Sequence, residues 1–322
     1  MILGTGSAVS GKVLTNHDLE KMVDTSDQWI KERSGIERRH ILEEGKTNSD
    51  LAAEAGMKAL ENAGIKAKDL DYIILGTVTP DSSFPSTACR VQAKIGADNA
   101  AAFDLSAACS GFLYGMTIAN EMMQHGEKKY ILVIGSEVLS RITDWEDRTT
   151  CVLFGDGAGA VVIGPTDGGR GILSTYIKSD GRLADLLHVP GGGSTQPATH
   201  DSIDQRQHYI KMKGREVFKH AVRTMADAAV HGLGEAGIHS DELDLLISHQ
   251  ANIRIIEAIA KRLKLPNEKV FVNIQEYGNT SSASIPIALD QAINEGRLKE
   301  GSRCLLVAFG GGFTWGSSLI QL

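Results

Sequence analysis

The chain has 322 residues, 42% hydrophobic and 23% charged, which is enough for two core-forming units of about 150 residues each. Its net charge of −7 argues against nonspecific binding to nucleic acid or to an anionic membrane. The four cysteines include no C-x-x-C pair, which argues against a zinc ribbon or a dense disulfide framework and fits a reducing cytoplasm.

At the N-terminus, MILGTGSAVSGKVL has no basic leader region and its apolar run breaks at Gly4. No apolar run elsewhere approaches the roughly 20 residues of a membrane span, so a soluble protein is expected. Short apolar runs at 72–76, 130–135, 160–164, 243–248 and 304–310 predict buried strands, alternating with helix-period segments such as 253–263. Such alternation predicts an α/β protein with parallel or mixed sheets.

Two of these segments echo one another. AGIKAKDLDYIILGT (63–77) resembles AGIHSDELDLLISHQ (236–250), with Gly64 and Gly237 standing 173 residues apart. KKYILVIGSE resembles SRCLLVAFGGG, with Gly135 and Gly310 standing 175 apart. Two matches at nearly one offset predict duplicated halves, 1–170 and 171–322. The same shift carries Cys109 into YGNTSSAS (277–284). Corresponding turns of two packed halves would then meet near a shared axis, placing Cys109 opposite Asn279 and His249 within about 10 Å, as catalytic contacts require.

Cys109 lies in DLSAACSGFLYG, after a strand-like AAAFDL and before a segment whose Phe112, Leu113, Met116, Ala119 and Met123 share one helical face that Gly126 ends. That is a strand-to-helix elbow, where the helix-terminal amides are expected to lower the thiol pKa. Read alone, Cys109 is also a small core cysteine. His249 closes the run LDLLIS, at the carboxyl end of a predicted strand where open α/β sheets place ligands; a structural histidine is the plain alternative. Asn279 alone reads as a turn residue. Together the three form a Cys, His, Asn set with interlocking chemistry.

The glycines of FGGGFTWGSS (309–318) suit either a tight turn or an oxyanion hole shared with the Cys109 amide. FGDGAGA (154–160) is followed by VVIG where a nucleotide loop needs a helix, so a Rossmann site is disfavoured. The ten histidines include no H-E-x-x-H or clustered Cys/His set, and no P-loop is present, so neither a metal nor ATP is expected. Charges at 210–223 and 254–262 read as solvated helix faces or as a basic patch for an acidic partner.

Six ordered motifs now stand together: VDTSDQWIKERSGIERRH (23–40), SAACSGFLYG (106–115), LFGDGAGA (153–160), SHQANIRII (248–256), YGNTSSASIP (277–286) and FGGGFTWGSS (309–318). Over the whole chain the sequence resembles the β-ketoacyl-acyl carrier protein synthase III family, initiating condensing enzymes of bacterial fatty acid synthesis. The resemblance implies a thiolase-like fold: two duplicated α/β halves with mixed sheets in an αβαβα arrangement. It implies that Cys109 accepts the acyl group and that His249 and Asn279 promote malonyl decarboxylation. The amides of Cys109 and Gly311 match the oxyanion donors.

Trp29, Arg33 and Arg148 match positions at the adenine and phosphate end of coenzyme A, with Gly214 and Asn252 along the pantetheine tunnel. Phe84 matches a residue closing the acyl pocket across a homodimer interface, and Lys219, Arg254, Lys261 and Arg262 match the carrier-protein docking face. Acyl-CoA and malonyl-acyl carrier protein are the implied substrates, with no separate cofactor. The segment 188–207, where relatives differ, leaves primer selectivity open. Alternatives are a specialised or polyketide-type condensing enzyme using another primer or malonyl-CoA, a Cys-His-Asn hydrolase, and a non-enzymatic acyl-binding protein.

Overall fold

The structure, a computed structural model, describes residues 1–124, 126, 129–166 and 169–322. Its first sheet takes strands β1 (Ile2–Ala8), β2 (Tyr72–Gly76), β3 (Ala101–Leu105), β4 (Ile131–Glu137) and β5 (Gly157–Ile163) in the order β1-β5-β4-β2-β3. The second takes β6 (Gly171–Ser179), β7 (Leu245–Ser248), β8 (Arg303–Gly310) and β9 (Thr314–Gln321) in the order β7-β8-β9-β6. In the first sheet β2 and β4 pair in parallel, and β5 and β1 then follow antiparallel. In the second, β7 and β8 pair in parallel, and β9 and β6 follow antiparallel. Even the place of β3 beside β2 is marked in the second sheet, by a single parallel bridge between Leu246 and Val270.

Period-two alternation along the strands divides the interior into layers. Ile131 and Val133 of β4 face a central core with Leu306 and Ala308 of β8, while Leu132 and Ile134 face outward into a second core and Leu305 and Val307 into a third. The central layer consists of helices α4 (Gly111–Gln124) and α7 (Ser284–Asn294), which contribute Phe112, Leu113, Met116, Ile285 and Leu289. Covered by sheets on both sides, these helices are apolar over much of their surface.

Helices α2 (Asn48–Ala63) and α3 (Thr87–Ile95) cover the first sheet. Helices α5 (Gly214–Ala236) and α6 (Ile253–Leu263) cover the second. The result is a five-layered αβαβα stack. Helix α1 (Asp27–Ser34) lies outside it, against the mouth of the site described below.

The strand at 72–76 and the helix at 253–263 fall where the spacing predicts. The strand predicted over 160–164 instead begins at Gly157, because its first residues, Gly and Ala, are too small to register as an apolar run although α7 buries them. The helix expected to end at Gly126 is assigned through Gln124; residue 125 lies outside the described residues.

Candidate active site

Cys109 stands in one 3-10 turn, Ala108–Ser110, between β3 and α4. Ala108 holds φ at 45°, the left-handed region that costs a residue with a β-carbon about 1–2 kcal/mol. The far end of β8 packs against this elbow: a β-carbon on Gly310 would lie 2.6 Å from the Cys109 nitrogen, so the approach requires glycine. Thr314, at the start of β9, secures the elbow by donating its hydroxyl to Ala107 O at 2.7 Å.

His249 follows β7, and its backbone N–H donates to Val307 O at 2.7 Å. Its Nδ1 lies 2.6 Å from Ser284 Oγ, which also accepts the Gln250 N–H at 3.4 Å. We assign the Ser284 hydroxyl as donor to Nδ1, the tautomer in which Nε2 carries the imidazole proton. Burial lowers the His249 pKa to about 3, and the ring is a neutral donor.

Asn279 is fixed by its backbone, whose N–H donates to Leu153 O at 2.9 Å and whose carbonyl accepts from Gly155 at 3.0 Å. Its Oδ1 accepts the Ser281 N–H at 2.9 Å. With the oxygen engaged in this way, Nδ2 is the end left for a ligand.

Ser281 holds φ at 50°, and its hydroxyl donates to Glu137 Oε1 at 3.1 Å. The two left-handed residues, Ala108 and Ser281, are 173 positions apart, the offset of the internal echo. The turns that carry Cys109 and Asn279 therefore meet. Cys109, His249 and Asn279 line one cavity of about 120 Å³, together with Gly214, Asn252 and Phe218. Cys109 also lines a second cavity of about 200 Å³, with Val78, Leu139, Ile142, Leu187, Val189 and Ile210. Cys109 stands where the two cavities meet, and His188 and Val189 of the variable segment 188–207 line the second.

One expectation is corrected here. The thiol pKa is not lowered: burial pushes it up to about 12, and the nearby Glu137 charge adds to the rise. Loss of hydration outweighs what one short helix start returns.

Trp29 gathers the predicted nucleotide-end residues, with the Arg148 guanidinium 4.9 Å and the Arg33 guanidinium 6.0 Å from its ring centre. Asn252 donates to Arg33 O at 2.9 Å and Arg254 to Glu32 O at 2.8 Å, tying α1 to the start of α6. Lys219 on α5 and Arg254, Lys261 and Arg262 on the neighbouring α6 are exposed. Gly311 lines the second cavity, and an added β-carbon there would lie 2.9 Å from Leu187 O. Phe84 is 84% exposed and lines neither cavity within one chain. Sequence reasoning missed Ser281, Ser284 and Glu137. Of these only Glu137 left a trace, as a lone carboxylate ending a fully buried strand.

A cysteine, an imidazole and a carboxamide around one cavity of a five-layered α/β stack define a condensing enzyme of the thiolase fold. Residues 103–181 match the family described as 3-oxoacyl-[acyl-carrier-protein (ACP)] synthase III, and residues 233–322 match its C-terminal region. The chain is 55% identical over 320 residues to the β-ketoacyl-[acyl-carrier-protein] synthase III of Caldanaerobacter subterraneus subsp. tengcongensis, covering 99% of this chain and 97% of that one. The crystal structure of 3-oxoacyl-[acyl-carrier-protein] synthase III from Aquifex aeolicus superposes with a TM-score of 0.93 at 51% identity, covering 100% of this chain and 99% of that one. The priming β-ketosynthase of the R1128 polyketide pathway also gives 0.93, at 33% identity, covering 100% and 95%. The chain belongs to the 3-oxoacyl-[acyl-carrier-protein] synthase III family.

Proposed function

We propose that this enzyme condenses an acyl-CoA primer with malonyl-acyl carrier protein, giving 3-oxoacyl-acyl carrier protein, CoA and CO2 and initiating fatty acid synthesis. The observation that carries this reading is the cavity lined by Cys109, His249 and Asn279 and joined at Cys109 to an apolar chamber. In the first half-reaction the Cys109 sulfur attacks the primer thioester, the N–H groups of Cys109 and Gly311 receive the oxyanion, and CoA leaves. The acyl chain occupies the apolar chamber. In the second, His249 Nε2–H and Asn279 Nδ2–H donate to the malonyl thioester oxygen as CO2 departs and negative charge moves onto it. The resulting carbanion attacks the acyl-cysteine.

Trp29, Arg33 and Arg148 hold the nucleotide end of CoA, and Gly214 and Asn252 line the pantetheine path. The exposed cations Lys219, Arg254, Lys261 and Arg262 receive the acidic carrier protein. No separate cofactor enters the scheme, since acyl-CoA is consumed as a substrate. We further assign a cytoplasmic homodimer in which Phe84 of one copy closes the chamber of the other, and duplicated halves divided at 1–170 and 171–322.

The test is product analysis after supplying an acyl-CoA with malonyl-acyl carrier protein. A 3-oxoacyl carrier product with an acyl adduct on Cys109 is expected. Free carboxylic acid as the sole acyl product would favour the hydrolase, and an equal rate with malonyl-CoA in place of the carrier-bound donor would favour the specialised condensing enzyme.

A further inference from the structure

Arg39 is a fully buried cation on Arg38–His40, a short strand that pairs antiparallel with Val13–Thr15 outside the two main sheets. One end of its guanidinium fork donates to Leu14 O at 3.1 Å and to Asn16 Oδ1 at 2.9 Å; the other donates to Val152 O at 2.7 Å. All three acceptors are neutral. Among the described residues its Nε has no hydrogen-bond partner and no carboxylate balances its charge. Burial lowers its pKa to about 10, which leaves it charged at neutral pH. An unbalanced buried charge is costly, and an apolar side chain of like volume often packs as well or better. What the guanidinium adds is a rigid fork that spans oxygens on separate segments.

The segment it holds is the one that holds Asn279. Leu153 O, next to the anchored Val152, accepts the Asn279 N–H at 2.9 Å, and the Gly155 N–H donates to Asn279 O at 3.0 Å. The stem of Arg39 reaches the same place. A β-carbon on Gly155 would lie 3.0 Å from Arg39 Cβ, and one on Gly278, the residue before Asn279, 3.2 Å from it. At the other end of the fork Asn16 is itself fixed, donating to Ile36 O at 2.8 Å and to Asp27 Oδ1 at 3.0 Å at the start of α1.

We propose that Arg39 is a positioning residue for condensation: by anchoring 152–155 it fixes the backbone of Asn279, and so the place from which Asn279 Nδ2 donates to the malonyl thioester oxygen. This rests on the role proposed above for Asn279. Arg39 lines neither cavity, and the Cys109 elbow is held by different contacts, at Gly310 and Thr314. The two half-reactions should therefore respond unequally to its loss.

Arg39→Met keeps an apolar stem and removes the fork. On enzyme acylated beforehand, with saturating malonyl-acyl carrier protein, it should slow condensation about 10²-fold, the scale of a 1 Å misplacement. Acyl-Cys109, followed by mass spectrometry, should form at nearly the native rate. A part in packing alone would not produce the second readout: combined with Asn279→Ala, Arg39→Met should cause little further loss, because its effect passes through a donor already removed. Asn16→Ala loosens the fork from its other end and carries the same test where Arg39→Met does not fold. It should slow condensation about 10-fold, again only while Asn279 is present. Equal loss of both half-reactions, full additivity with Asn279→Ala, or unchanged condensation in a folded variant overturns this proposal and leaves the condensation reading intact. If the native enzyme itself gives no 3-oxoacyl carrier product, that reading falls as well.

Discussion

Cys109 and His249 rest neutral for one reason: burial disfavours a thiolate and an imidazolium alike. For His249 this has a measurable consequence. Its pKa falls from an ordinary value near 6.5 to about 3, so between those values the unfolded chain binds a proton that the folded one refuses. The contribution to stability is complete above the unfolded pKa and is lost as pH falls toward the folded one. Between pH 7 and pH 5 this residue should cost the protein about 2 kcal/mol. Urea denaturation at the two pH values should show that loss reduced by about this amount in His249→Gln. Asn279 has a narrower task. Asn279→Ala removes the donor proposed for the enolate-like oxygen and should lower condensation about 10²–10³-fold while acyl-Cys109 still forms. An equal loss of both half-reactions in the folded variant would contradict the assignment.

At the scale of elements, the site depends on two turns that enter the central helices α4 and α7, each with a non-glycine residue in the left-handed region. They meet because β4 carries glycine where the second turn crosses it. A β-carbon on Gly135 would lie 2.2 Å from Ser282 O, a backbone atom that yields only if the whole turn moves. Gly135→Ala should cost about 1–3 kcal/mol in urea denaturation and, by displacing the turn that carries Asn279, slow condensation about 10²-fold.

This crossing explains what the sequence could and could not reveal. A strand buried over all but its first residue, such as 72–76, reads as an unbroken apolar run, and α6 declares itself by its helical period. Cys109, His249 and Asn279 stand at ends of such legible segments. Ser281 lies among near-identical small polar residues, and only the meeting of the turns selects it. Glu137 looks like the first loop residue after a strand until Thr77, Thr79 and Ser281 are folded around it. The expected drop in the Cys109 pKa failed similarly, because a helix start is visible in the chain whereas depth of burial is not.

At the scale of the molecule, the five layers put the sulfur in the middle and the substrate-facing helices α5 and α6 on one outer surface. The chain carries a net charge of −7, so an acidic carrier protein is repelled by the molecule as a whole and must find a local exception. The exposed Lys219, Arg254, Lys261 and Arg262 on adjacent helices offer one. Arg254 is a compromised probe because its guanidinium also holds Glu32 O, and its loss would disturb α1. Lys219→Glu is cleaner. Attraction between exposed charges decays over about 10 Å at 0.1 M salt, so the KM for malonyl-acyl carrier protein should rise with ionic strength in the native enzyme. In Lys219→Glu that KM should be several-fold higher at low salt, converging on the native value as salt increases, with kcat nearly unchanged. The KM for acetyl-CoA should be unaffected. Steady-state kinetics across a salt series separate this from a general defect: a KM for the carrier substrate unchanged at low salt would remove Lys219 from the docking face.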